Sequence, residues 1–214
     1  SELAAFVSDG LAACGYDYCD GGIMATNPRW RQPLHIWRQM FSEWIDDPDP
    51  EALLHCSIFF DLTGIYGEPD LAADLQRLIC EKAPASRKFL AHIARNALLR
   101  SPPLGFFRQF VLEPDGEHGK AFDLKERGTA PISDLVRVHA LACGSGSLNT
   151  HDRLDDINQT TLLPEGVGSN LIDALEFISM VRIRHQAKQV ERGREPDNHV
   201  EPKRLSAFER RHLR

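Results

Sequence analysis

The sequence lacks any long hydrophobic run, and this absence excludes proteins that cross a membrane by a helix. No apolar stretch approaches the roughly 18–20 residues that a bilayer-spanning helix needs, and the first residues show no secretory signal pattern. We therefore expect a cytoplasmic protein without a membrane partner. The chain begins with Ser1 and ends with Arg214, each within a predicted helix, so we also expect a piece of a longer polypeptide.

The sequence also lacks an excess of basic over acidic residues. The formal net charge is −6, which argues against broad nucleic-acid binding because that function needs a basic surface. Basic residues do cluster late, at 182–194 and 203–214, where charge along a helix is typical of a solvated face. Walker, G-x-S-x-G and G-x-G-x-x-G motifs are all missing, so no complete catalytic set can be recognised from the residues.

Cysteines at a repeated spacing are missing too. The five cysteines are an odd number, as is typical of a protein from a reducing cytosol. Cys14 and Cys19 form a C-x4-C pair, with His35, His55 and Cys56 as conceivable further zinc ligands. Because there is no second close pair at finger spacing, a zinc site is not the favoured interpretation.

An adjacent histidine–aspartate pair, His151–Asp152, is the kind of pair that metal phosphohydrolases use. No further histidines stand at fitting places upstream. The other interpretation of this pair is ordinary helix-start chemistry, and we favour it.

Most of the chain shows apolar residues at helical spacing, which predicts a mainly α protein with a small β component. A first helix is expected from residue 3 to residue 14, stopped by Gly15. A second is expected from 33 to 46, and together with the residues just before it this segment carries three tryptophans, Trp30, Trp37 and Trp44, which we interpret as core rather than as a ligand platform. Asp49 and Pro50 resemble an N-cap and first helical position, which predicts a short helix to about residue 56.

The best strand candidate is the run Ser-Ile-Phe-Phe-Asp-Leu at residues 57–62. A very short strand at 23–25 and a hairpin between Gln109 and Leu124 are also predicted. The run at 57–62 places Asp61 after three apolar residues. A buried acid is costly unless it binds a cation or accepts hydrogen bonds, so Asp61 is either a metal ligand or a capping or turn residue.

The stretch 122–136 is the most informative part of the sequence for a candidate site. It begins as an alternation of apolar and charged residues, breaks at Gly128 and restarts as a helix near Pro131. Lys125, Arg127 and the Gly128 backbone would then precede a helix N-terminus, where free N–H groups and the helix dipole suit an anion. The other interpretation is a strand-to-helix turn with solvated charges.

Several long segments resemble one family of bacterial nucleotidyltransferases, whose members often carry cyclic-nucleotide-binding and CBS domains upstream. Residues 14–34, 57–62 and 103–108 carry the resemblance to the transferase part. Residues 123–135, 182–186 and 195–198 resemble the C-terminal, substrate-binding helical domain of that family. The resemblance therefore spans essentially the whole chain.

This family is similar to protein-PII uridylyltransferases and glutamine-synthetase adenylyltransferases. Such enzymes move a nucleotide monophosphate from NTP to an acceptor, with two metal ions held by carboxylates. The resemblance implies that Asp61 is the third of the metal-binding, catalytic acids. It also implies that Lys125, Gly128 and Asp134 lie beside the nucleotide, although Thr129-Ala130 replaces the Gly-Gly pair of the relatives.

We therefore expect residues 1–82 to be the back part of an incomplete nucleotidyltransferase lobe and residues 83–214 to be a helical-bundle domain. The intact protein would use Mg²⁺ and NTP, with Asp61 on metal, Lys125 and Arg127 on phosphates, and Asp134 orienting Lys125 or the acceptor. The expected partners are a nucleotide, an acceptor protein and upstream regulatory domains, in signal transduction. The Gly-Ser phosphate turn and the Asp-x-Asp pair do not occur in this sequence, so the chain by itself should not turn over NTP.

The alternative function is a non-catalytic module that kept the fold to bind a nucleotide or a partner protein.

Overall fold

The structure, a computed structural model, describes residues 1–100, 102, 110, 113–115 and 119–213. Within these residues helices dominate and strands are few, which confirms the mainly α class with a small β component. Residues 103–108, which carry part of the family resemblance, lie outside the described residues. No helix of the described part combines the length and the apolar character that crossing a bilayer requires.

Nine α-helices and three short strands make up the described part of the chain. The helices are α1 (Glu2–Ala13), α2 (Leu34–Asp46), α3 (Pro50–Phe59), α4 (Pro69–Ala85), α5 (Arg87–Ala97), α6 (Ala130–Cys143), α7 (Thr150–Asn158), α8 (Val167–Val190) and α9 (Ala207–His212). The strands are β1 (Glu113–Asp115), β2 (Gly119–Asp123) and β3 (His199–Val200).

The small sheet is antiparallel, with strand order β1-β2-β3. Pro114 pairs with Lys120 in the hairpin of β1 and β2, which confirms the hairpin predicted between residues 109 and 124. Phe122 pairs with Val200 across β2 and β3. This second pairing joins segments almost 80 residues apart in the sequence, and no local pattern predicted it.

Side-chain caps explain where several helices begin. Asp49 Oδ1 accepts a hydrogen bond from Ala52 N at 2.7 Å at the start of α3, and Pro50 follows as the first helical residue. Ser206 and Glu209 form a reciprocal capping box at α9. The cap of α3 lies where the sequence predicts it, and both caps depend on residues only three apart.

The predicted strand at 57–62 is wrong, because residues up to Phe59 belong to α3. Leu53, Cys56 and Phe60 are buried, whereas Leu54 and Ile58 are exposed, which is the spacing of one helical face. A short apolar run does not by itself distinguish a strand from a buried helix. The predicted strand at 23–25 is also wrong, since these residues form bends and turns.

The main core lies among α2, α3, α4 and α5 and includes Leu141 of α6. Its fully buried side chains include Phe41, Ile45 and Phe89. The tryptophans of α2 and the preceding turn contribute to this core, as predicted: Trp30 and Trp44 are buried, and the Trp37 ring centroid lies 5.9 Å from that of Phe41. Two smaller clusters form where α8 packs on β2 and β3, and where α6 meets α7.

The division between residues 82 and 83 stays a prediction. It falls within α4, which continues through Pro84 to Ala85. The main core contains Ile79 and Phe89 from the two sides of this point, so one hydrophobic cluster spans the predicted boundary.

His55 is a buried titratable group within the main core, and it predicts an acid-dependent loss of stability. Its ring contacts those of Trp30 and Trp44, with centroids 5.2 and 5.0 Å away. Burial, assisted by the positive charge of Arg29, lowers the pKa of His55 below its usual value, although Glu51 and Asp49 oppose this. The unfolded chain therefore binds more protons than the folded chain as the pH falls.

We expect the free energy of unfolding to be highest above about pH 6.5, the ordinary pKa of histidine, and to fall as the pH drops below it. Urea unfolding at a series of pH values measures this dependence. Burial also lowers the pKa of His139, so His55→Leu should reduce the pH dependence without removing it. An unchanged slope between pH 5 and 6.5 in His55→Leu would contradict the prediction.

Candidate functional site

The start of α6 differs from the prediction, and its first free N–H groups already have an acceptor within the chain. Residues Lys125–Thr129 form a π-helical turn that continues directly into α6, so the helix does not restart near Pro131. The Asp123 carboxylate accepts hydrogen bonds from Lys125 N at 2.6 Å and Glu126 N at 2.7 Å. These N–H groups are the donors that an anion at the helix start would need, and a carboxylate of the chain itself already occupies them.

Gly128 serves the packing of this turn against α8. A Cβ atom at Gly128 would lie 2.9 Å from Ile178 Cγ2, which is too close without movement of Ile178. Arg127 and Gly128 also border a mainly apolar pocket of about 180 Å³ that includes Phe122 and Phe177. Packing therefore explains the glycine, whereas contact with a nucleotide stays a prediction for Lys125, Arg127 and Gly128.

Asp134 lies on the second turn of α6, nine residues after Lys125. Its carboxylate accepts a hydrogen bond from Arg100 Nη1 at 2.5 Å and lies 4.0 Å from Arg137 Nη1. Asp134 thus pairs with two arginines, and the predicted role of orienting Lys125 does not fit this position.

Asp61 lies just after α3 and is bound by two arginines. Arg137 Nη2 donates to one oxygen of the Asp61 carboxylate, and Arg153 Nη2 donates to the other. The Arg153 side chain is only 9% exposed, and its Nε donates to Ser147 O at 2.8 Å. These bonds connect α3, α6 and α7, so Asp61 holds together three elements that are far apart in the sequence.

A metal does not fit the residues present at this site. Both oxygens of Asp61 already accept hydrogen bonds from positively charged groups, which would repel a divalent cation. Among residues 1–100 and the later described segments, no group of three or more histidine, cysteine, aspartate or glutamate side chains could hold a metal ion. The metal and catalytic roles of Asp61 therefore stay predictions that its contacts do not favour.

The two aspartates belong to one chain of alternating charges, which we call the arginine–aspartate chain: Arg100, Asp134, Arg137, Asp61 and Arg153. The structure brings Asp61 and Asp134 together through Arg137 and places Lys125 elsewhere. Three arginines and two aspartates leave an excess of one positive charge. An anion would complete this arrangement better than a cation.

A cleft of about 370 Å³ opens beside the arginine–aspartate chain, between α3, α5 and α6. We call it the arginine cleft. Its polar lining consists of Ser57, Asn96, Arg100, Asp134 and Arg137, and the remainder is aliphatic. Its volume lies within the range of small-molecule sites, about 300–1,000 Å³.

Arg137 carries an unsatisfied donor. Its Nε is buried and has no hydrogen-bond partner among the described residues, whereas its two Nη atoms face Asp61 and Asp134. Unpaired buried donors cost free energy and call for an explanation. One explanation for this unpaired donor is a ligand in the cleft that carries an acceptor oxygen.

Sequence reasoning missed the three arginines of this chain. Arg137 follows Asp134 by three residues, a spacing that brings side chains together on a helix, and this signal could have identified it. Arg153 and Asp61 are 92 positions apart, and no sequence signal connects them.

Comparisons with known proteins agree with the resemblance in the sequence. A family model described as "Putative nucleotidyltransferase substrate binding domain" matches residues 87–214. A second, described as "Putative nucleotidyltransferase DUF294", matches residues 1–51. No curated protein matches the chain, and no solved structure matches it. Because the first model covers more than half of the sequence, the chain belongs to the nucleotidyltransferase family that carries this substrate-binding domain.

Proposed function

We propose that this chain is the substrate-binding part of a nucleotidyltransferase and that the arginine cleft holds the phosphates of a nucleotide. In the complete reaction a nucleotide monophosphate would pass from NTP to an acceptor, which we take to be a protein. The chain would bind and orient the phosphates. The metal-dependent chemistry would need carboxylates beyond those described here.

The observation that carries this proposal is the partnerless Nε of Arg137 beside the arginine cleft. A phosphate oxygen would supply the acceptor that this atom lacks, once the side chains that cover the buried Nε shift. Arg100 stands at the rim of the cleft with 49% of its side chain exposed, so its guanidinium can bind a second oxygen of the same group. Guanidinium groups suit this task because their donors match the geometry of phosphate oxygens.

When no ligand is bound, Asp134 would hold Arg100 in place. A phosphate that enters the cleft would compete with this carboxylate for Arg100. The two side chains form an ion pair in the structure, and a phosphate would exchange for the carboxylate at Arg100. Arg137, held by Asp61 on its other side, stays fixed. The site would therefore have one fixed arginine and one that changes partner.

A second candidate function, the non-catalytic binding module, has one specific observation in its favour. Asp61, the acid that the resemblance assigns to the metal, is bound on both oxygens by Arg137 and Arg153. Such a module would bind a nucleotide or a partner protein without transferring a nucleotidyl group.

Substitution of Arg100 by glutamine tests the binding step. Loss of a charged hydrogen bond costs about 1.5–3 kcal/mol, and the partial exposure of Arg100 favours the lower end. We therefore expect Arg100→Gln to weaken ATP binding about tenfold in calorimetric titration of the 214-residue chain. Thermal melting should change little, because Asp134 keeps its contact with Arg137.

Arg77→Gln is the matched control. Arg77 also pairs with an aspartate, Asp74, but its side chain is 65% exposed and lies outside the arginine cleft. Equal ATP affinities for wild type, Arg77→Gln and Arg100→Gln would rule out the arginine cleft as the phosphate site.

A further inference from the structure

We propose that a second cleft, at the C-terminal end of α8, binds an organic phosphate, a small molecule that combines phosphate groups with an apolar ring. This site lies outside the arginine cleft and does not depend on it. The cleft has a volume of about 360 Å³ and is formed by α8, β3 and the residues leading into α9. We call it the basic cleft.

Four positively charged side chains and one carboxylate line the basic cleft. Arg184 and Lys188 are four residues apart on α8, and therefore lie on one face of the helix. Arg192 follows just after its end and Arg204 faces them from the other wall. The carboxylate is Glu209, so the lining carries an excess of three positive charges.

Only some of the positively charged side chains in the basic cleft form ion pairs with a carboxylate. Arg184 Nη1 binds Glu209 Oε1 at 3.0 Å, and Arg204 Nη2 binds Glu201 Oε1 at 2.7 Å. Lys188 and Arg192 form no ion pair with any residue that the structure describes. Two cations in one cleft are thus available to a ligand, and phosphate is the anion whose charge and several acceptor oxygens use both.

The lining also contains an apolar part, and this part argues for an organic ligand rather than inorganic phosphate. Val181, Val200 and Leu205 contribute to the lining, and all three belong to the hydrophobic cluster under the sheet. Because these three side chains are almost fully buried, an aromatic ring above them would cover chiefly the aliphatic stems of the arginine and lysine side chains that line the cleft, and it would remove that apolar surface from water. A nucleotide, with a flat base and a charged tail, has this combination of surfaces.

His185, which also lines the basic cleft, helps to connect the walls of this cleft. His185 Nε2 lies 3.4 Å from Asp197 Oδ1, and Gln189 Nε2 donates to Asp197 Oδ2 at 2.8 Å. These contacts attach the segment before β3 to α8. The cleft is therefore bounded by elements that are fixed to one another, as a site for a specific ligand requires.

The test is a titration of the 214-residue chain with ATP, inorganic tripolyphosphate and adenosine. Each is used in the Arg100→Gln background, in which we expect the arginine cleft to bind about tenfold more weakly. We expect ATP to bind more tightly than either of the other two. The double substitution Lys188→Gln, Arg192→Gln should weaken ATP binding at least tenfold, and added salt should weaken it in the parent protein.

Arg194→Gln, Lys203→Gln is the control, because it removes the same charge from exposed positions that do not line the cleft. This control should keep the affinity for ATP. Cations near a helix C-terminus also stabilise the helix, so melting temperatures are recorded for every variant. All four substituted residues are exposed, and we expect each variant to fold.

Three results would overturn the proposal. If ATP does not bind in the Arg100→Gln background, the basic cleft is not a phosphate site. If both double variants weaken binding equally, the effect is one of net charge. If tripolyphosphate binds as tightly as ATP, the apolar lining contributes nothing and the ligand is not an organic phosphate. Failure of the arginine-cleft proposal would instead leave ATP affinity unchanged by Arg100→Gln alone.

Discussion

Replacement of Asp61 by alanine should lower the free energy of unfolding by about 3–5 kcal/mol, which is the usual cost of removing one partner from a buried ion pair. The substitution leaves Arg137 and Arg153 without their shared acceptor, and the Arg153 side chain is only 9% exposed. Asp61 itself is 28% exposed, so water that reaches the site places the expected loss toward the lower end of this range.

Asp74→Ala is a control of the same geometry. Asp74 also binds two arginines, Arg38 and Arg77, but their side chains are 46% and 65% exposed. Water can solvate these guanidinium groups when the carboxylate is removed, so the loss should stay within about 1 kcal/mol. Urea unfolding of the two variants and the wild type gives the comparison directly.

The same experiment separates the two interpretations of Asp61. A carboxylate kept to bind a metal is a source of repulsion in the metal-free protein, and its loss would be neutral or stabilising. A carboxylate that joins α3 to α6 and α7 is needed for stability without any ligand. If Asp61→Ala unfolds at the same urea concentration as the wild type, the structural interpretation is wrong.

Replacement of Gly144 by alanine should destabilise the chain by about 2–5 kcal/mol, from two separate costs. Gly144 ends α6 with φ +71°, a left-handed conformation that costs an L-residue about 1–2 kcal/mol. A Cβ atom there would also lie 2.8 Å from the carbonyl oxygen of Cys80 in α4. Because the obstacle is backbone, relief of this contact must move α4 or α6, at a cost of about 1–3 kcal/mol.

Gly67→Ala isolates the conformational part of this cost. Gly67 also has a positive φ, +95°, but nothing lies within 4 Å of the position of its Cβ. The difference in unfolding free energy between the two variants therefore measures the close approach of α4 and α6. Equal losses of unfolding free energy at both positions would show that the close approach of α4 and α6 does not restrict which residue can stand at position 144.

The substitution of Gly144 should also affect the candidate site. The following turn places Ser145 and Ser147, whose hydroxyls both donate to Asp156 and thereby lower the pKa of its carboxyl group. The carbonyl of Ser147 accepts from Arg153, the arginine that holds Asp61. A change at Gly144 should therefore also weaken ATP binding at the arginine cleft, where a change at Gly67 should not.

Two of the five residues of the arginine–aspartate chain could be predicted from the sequence. Asp61 and Asp134 were selected as functional residues, and the structure joins them through Arg137. Their partners could not be predicted, since the Asp61–Arg137 contact spans 76 positions. Lys125 and Arg127 were selected from a predicted helix start near Pro131, and the actual start, capped by Asp123, lies six residues earlier.

The family, the helical class and the starts of α1, α2 and α3 follow from the sequence alone. Caps such as Asp49–Pro50 and Ser206–Glu209 act over a few residues, so local chemistry is enough to specify them. Only the tertiary structure decided that residues 57–59 are helical, that α6 begins at a π-helical turn, and that Asp61 faces two arginines. The physical reason is that burial and charge pairing depend on which distant segments meet, and those contacts form only when the helices pack.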